Sequence, residues 1–86
     1  MGGYTQPKRP DYESQQLLDL NQNEIQAKLG LSYDNARVIN YQTQAVGGSN
    51  YKIWAETNNG QEFEAILSKD LPQENGKITV VRARIH

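Results

Sequence analysis

The sequence predicts an α+β fold in which one long α-helix packs against a four- to five-stranded antiparallel β-sheet, and three observations carry that expectation. Apolar residues between Asp11 and Gly30 recur at helical spacing. From Ala36 onward the period falls to two, as half-buried strands require. The strand-like runs are joined by segments too short for a crossover, so neighbours should run antiparallel.

In chain order, Met1 to Pro10 holds two glycines, two prolines and the pair Lys8-Arg9, and reads as a flexible, extended N-terminal trunk on a single domain of residues 1–86. Lys8-Arg9 reads as a solvated charge pair. Asp11 after Pro10 supplies a helix start and N-cap, and Leu17, Leu18, Ile25 and Leu29 gather on one face, the stripe expected of a core-facing helix. Lys28 and Gly30 supply the stop. Asn21-Gln22-Asn23 is the weak point; a continuous helix of about five turns is expected, with a kink near Asn21 as the alternative.

Four strand runs follow: Ala36 to Val46, Ser49 to Thr57, Gln61 to Lys69 and Lys77 to Ile85. Gly47-Gly48 closes the first hairpin, because glycine accepts the positive φ of a tight turn. Asn58-Asn59-Gly60 suggests a primed turn for the second, and Leu71 to Gly76 makes a longer third connection. Alternation puts Tyr51, Ile53, Ala55, Phe63, Ala65, Leu67, Val81, Ala83 and Ile85 on the core face. Lys52, Glu56, Glu62, Glu64, Arg82 and Arg84 then face water. Trp54 falls on the wet face, where it either covers a neighbouring strand or marks a contact surface.

Composition narrows function. Nine basic residues against ten acidic give a net charge of −1, so neither nucleic acid nor an anionic membrane is an expected partner. No apolar run approaches a signal or membrane-spanning length, and Gln6 stands where a myristoylation signal wants Ser or Thr. With no cysteine, no disulfide is needed and the cytoplasm is the expected location. A catalytic reading fares poorly. Without cysteine and with His86 the single histidine, no Cys-His or Ser-His-Asp arrangement and no histidine metal cluster can be assembled. No metal or cofactor is expected; Glu62 and Glu64 read as a solvated strand face, and Gly47-Gly48 as a turn, not a phosphate cradle.

The remaining candidate is Gln44-Ala45-Val46-Gly47-Gly48, a short stretch held out between two strands. With it the sequence resembles the stefins, the single-domain, disulfide-free branch of the cystatins, whose first inhibitory hairpin reads Gln-x-Val-x-Gly. The likeness continues in register: Tyr33 and Tyr41 before the hairpin, Thr43 preceding Gln44, Asn50-Tyr51 after it, Leu71-Pro72 at the second inhibitory hairpin, and Gly3 at the family's distance before Tyr33. No tryptophan follows Pro72, as in stefins and unlike secreted cystatins. The resemblance implies a cystatin-like fold and a reversible, tight-binding inhibitor of papain-like cysteine proteases, of papain or cathepsin type, that is not an enzyme. It implies a protease-binding wedge of Gly2, Gly3 and Tyr4 from the trunk, Gln44, Ala45, Val46, Gly47 and Gly48 from the first hairpin, and Leu71, Pro72 and Gln73 from the second. The active form would be a monomer, competing with a domain-swapped dimer that exchanges the helix and first strand. Singly, each wedge residue also has a structural reading, as strand, turn or strand exit. The alternative function is a cystatin-fold interaction or scaffold domain without protease inhibition, for which an exposed Trp54 would be the support.

Overall fold

Asp11 caps the helix as its sequence position suggests. In the computed structural model, which describes residues 2–86, its carboxylate Oδ1 accepts from the Ser14 amide at 2.8 Å while Ser14 Oγ accepts from the Asp11 amide at 3.0 Å. Met1, counted with the trunk above, lies outside the described residues. The expected continuous helix is corrected: α1 (Tyr12–Leu20) and α2 (Gln22–Leu29) are separated at Asn21, whose φ and ψ of −110° and 17° leave the helical region. The cause is local competition for a carbonyl. Asn21 Nδ2 donates to the Leu17 carbonyl at 2.8 Å, a bond the backbone would otherwise make. Gly30 then ends α2 in the left-handed conformation, with φ of 72°.

The sheet has four antiparallel strands in the order β1 (Ala36–Ala45), β2 (Gly48–Thr57), β3 (Glu62–Asp70) and β4 (Ile78–Ile85). This is the α+β, cystatin-like architecture expected. Helix α1 packs on β1 and α2 on β4, so the broken helix crosses one sheet face from edge to edge. Between them lies one core of Leu17, Leu18, Ile25, Val38, Ile53, Phe63, Leu67 and Val80, with Tyr33 stacked on Phe63 at 5.7 Å. Phe63, Leu67 and Ile53 are fully buried, each removing roughly 1.5–3 kcal/mol worth of apolar surface from water.

Two bulges reset the alternation. On β1 the register slips at Ile39, so Tyr41 faces the core together with Val38. On β4 the slip lies at Val81, because Ile66 pairs with Arg82 and Leu67 with Val80. Val80 is therefore the buried valine, and Val81 is 55% exposed, which corrects its placement on the core face. Ile85, on the core side by parity, stays 42% exposed where the edge strand ends. The second hairpin also departs from the two-residue primed turn: β2 ends at Thr57, β3 starts at Glu62, and Gly60 alone in the connection takes positive φ. Thr57 closes it, its amide bonding to the Gln61 carbonyl and its carbonyl accepting from Gly60.

Candidate functional site

One end of the sheet collects three segments. The first is the hairpin between β1 and β2, where Ala45 pairs with Ser49 and Val46, Gly47 and Gly48 form the bend. Gly47 and Gly48 have φ of 71° and 144°, conformations that a side chain strains. Gly48 is required for a second reason. A Cβ there would lie 2.5 Å from the Lys69 carbonyl oxygen, so glycine is what lets the first hairpin pack against the end of β3. Ala45, Val46 and Gly47 are exposed, Val46 at 45%.

The second segment is the connection from β3 to β4. Leu71 is extended, Pro72 opens a single 3-10 turn (Pro72–Glu74), and Asn75 closes it at φ of 81°. The Leu71 carbonyl accepts from the amides of Glu74 and Gly76, and the Asp70 amide donates to Lys77, so the loop is internally bonded. Leu71 is half-buried, while Pro72 and Gln73 are exposed. A shallow groove lined by Gly48, Tyr51, Leu71 and Pro72 joins the two loops.

The third segment is the trunk, which runs antiparallel to β1 along its outer edge. The Lys8 amide donates to the Tyr41 carbonyl at 2.7 Å and the Tyr41 amide returns a bond to Lys8; further along, the Thr5 amide donates to the Thr43 carbonyl at 2.8 Å. Gln44 ties the trunk to the hairpin. Its Nε2 donates to the Gly2 carbonyl at 3.1 Å and its Oε1 accepts from Asn50 Nδ2 at 3.0 Å. Gly2 and Gly3 are exposed, and Tyr4 is half-buried with Lys52 Nζ 4.3 Å from its ring centroid. All eleven residues singled out in the sequence therefore lie on this end, but Gln44 is turned toward the trunk and Asn50 while Ala45 and Val46 form the crest. Sequence reasoning missed Thr5, Gln42 and Lys52, which hold the trunk. Lys8, read as solvated, contributes both backbone groups to the β1 edge.

One short hydrogen bond ties the start of the helix to the sheet beside the trunk. The Tyr41 hydroxyl donates to Asp11 Oδ2 at 2.6 Å, joining the helix cap to β1. That bond, followed by burial, raises the Tyr41 hydroxyl to about 12, and with the Ser14 bonds it holds the Asp11 carboxyl below its usual range. Trp54 lies half-buried on the wet face, donating from Nε1 to Glu62 Oε1 at 2.7 Å with the His86 ring 3.9 Å away. Through Glu62 it lies against the neighbouring strand β3, as the first of its two readings expects.

A broken helix laid across an antiparallel sheet, with a glycine hairpin and a second loop at the same end, defines a cystatin-like protein. No family model matches the sequence. Among curated proteins it is 28% identical to cystatin-A of Bos taurus over 74 residues, covering 86% of this chain and 76% of that one. To cystatin-A2 of Dictyostelium discoideum it is 35% identical over 60 residues, or 70% of this chain and 63% of the relative. Cystatin-A of Homo sapiens is 27% identical over 74 residues, again with 86% and 76% covered. These likenesses, which extend over most of the chain, support a relationship to the stefins, the type 1 cystatins. No helix among the described residues is long and apolar enough to cross a membrane.

Proposed function

We propose that this chain is a reversible, tight-binding inhibitor of papain-like cysteine proteases, and that it acts by occupying the active-site cleft with a wedge of trunk and two loops. The observation that carries the reading is the convergence of Gly2, the Ala45–Gly48 bend and Leu71-Pro72 on one end of the sheet, tied together by Gln44 and by the close approach of Gly48 to Lys69. Val46, Leu71 and Pro72 supply apolar contact, and the glycines let main chain approach the cleft walls. No scissile peptide is laid in attack geometry, so the protease binds a substrate-like surface that does not react. Loops already fixed by hydrogen bonds lose little entropy on docking, and an interface of about 800 Å² per partner then suffices for tight binding. The absence of cysteine fits action in a reducing compartment such as the cytoplasm. The chain acts as a single domain and as a monomer, since exchange of the helix and first strand between two copies would open the first hairpin.

Val46→Asp tests the reading, because Val46 is exposed and belongs to none of the core contacts. It should weaken papain inhibition by at least about 30-fold, roughly 2 kcal/mol at an interface centre, with the thermal midpoint unchanged. Undiminished inhibition by the folded variant would refute the wedge.

A further inference from the structure

We propose that the outer edge of β1 is a dock that sets the trunk in place before any protease arrives, with Gln42 and Lys52 as positioning residues; the proposal deepens the inhibitor reading and rests on it for its kinetic consequence. The trunk residues 2–8 follow β1 without forming a continuous strand, and the ladder is completed by side chains. Gln42 Nε2 donates to the Thr5 carbonyl at 2.9 Å. The Thr43 amide donates to Thr5 Oγ1 at 3.2 Å, while the Thr5 amide bonds to the Thr43 carbonyl. Gln44 takes the Gly2 carbonyl, and the Lys52 ammonium sits over the Tyr4 ring from the neighbouring strand β2. Gln42, Gln44 and Lys52 share the wet face of the sheet, which is where a segment folded over the β1 edge comes to lie.

The physical consequence is preorganisation. An unpaired trunk would be ordered only in the complex, and the backbone entropy lost there would count against affinity. A trunk held by Gln42, Thr43 and Lys52 has met part of that cost in the free protein. Loosening it should therefore weaken inhibition without touching either hairpin loop.

Amide hydrogen exchange on the free protein, with papain dissociation rates measured on the same variants, tests this. The Thr5 and Lys8 amides should exchange at least about tenfold more slowly than in an unstructured peptide. Gln42→Ala and Thr5→Val should abolish protection at Thr5 and leave core amides such as Ile53 and Phe63 unchanged. Both should speed release from papain about fivefold, the factor a neutral hydrogen bond carries. Lys52→Gln should act in the same direction, more weakly. A Thr5 amide exchanging at the free-peptide rate overturns the dock whatever the inhibition. So does wild-type inhibition left unaltered in release rate by Gln42→Ala and Thr5→Val. If Thr5 and Lys8 are protected but the wild-type protein fails to inhibit papain, the dock stands and the inhibitor reading falls.

Discussion

The two edges of this sheet are finished in opposite ways. Along β1 the outward-facing backbone is taken up group by group: Gln15 Nε2 donates to the Ala36 carbonyl at 2.8 Å and its Oε1 accepts from the Val38 amide at 3.0 Å, after which Lys8 serves Tyr41 and Thr5 serves Thr43. Along β4, among the described residues, no segment from outside the sheet pairs with the backbone. That edge carries the Val81 bulge and the exposed charges of Arg82 and Arg84, which discourage another strand from adding. One edge is closed by specific bonds, the other by irregularity and charge. The bonded edge is the one that leads into the glycine hairpin and holds the trunk beside it. Ordering at that edge fixes the end of the sheet where the trunk and the two loops meet, whereas β4 needs only to stay unattractive.

The largest effect expected is at the junction of the bonded edge with the second loop. Gly48→Ala forces a Cβ onto the Lys69 carbonyl at a φ of 144°, and should cost about 2–3 kcal/mol in urea denaturation; a variant as stable as wild type would show that the hairpin does not need this close approach. Next is Gln15→Ala, which strips both bonds from the first part of the β1 edge. A loss of about 2 kcal/mol is expected, and a loss under 0.5 kcal/mol would mean that water serves the edge equally well.

Alkali should attack the covered side of the molecule first. The hydroxyls of Tyr41 and Tyr33 are raised to about 12 from an ordinary 10, Tyr41 by its bond to Asp11 and then burial, Tyr33 by burial and then the charge of Asp19. Because the folded values are higher, the stability they contribute is present below pH 10 and is lost as pH rises from 10 to 12. The Asp11 contribution has the opposite sense: it is present above the ordinary carboxylate value and is lost as pH falls through its lowered folded value. Melting temperatures followed from pH 9 to 12 should fall in wild type and fall less steeply in Tyr41→Phe. Parallel curves would exclude Tyr41 as a source. The smallest effect on stability belongs to β4. Arg82→Val with Arg84→Val should change unfolding free energy by no more than about 0.5 kcal/mol but raise self-association in light scattering at high concentration, and a double variant that stays monomeric would show that the bulge alone protects the edge.

The sequence was most informative where a residue type has one physical use. Asp11 after Pro10, Gly30 after Lys28 and Gly47-Gly48 between two alternating runs each mark a boundary, and each stands where it was expected. Helix against sheet was legible from the change of period alone. Bulges were not. At Val80-Val81 two identical side chains stand in sequence, and parity cannot say which of them turns inward until the register with Leu67 is known. At Ile39 no glycine or proline announces the slip that brings Tyr41 to the core side. The residues that gather at this end of the sheet were legible through the stefin resemblance, but the contacts of the trunk with β1 were hidden, because they run largely through its own carbonyls and amides, which every sequence has. Asn21 had the right sign: low propensity at that point becomes a real interruption once its side chain takes the Leu17 carbonyl.

The most direct test of the inhibitor account is a titration of active-site-quantified papain with the purified monomer, following hydrolysis of a fluorogenic peptide. The account predicts activity lost linearly toward one-to-one equivalence, with the chain recovered uncleaved. Full activity at large molar excess of a correctly folded monomer would contradict it, and would leave the converged loops as a feature of the architecture without that partner.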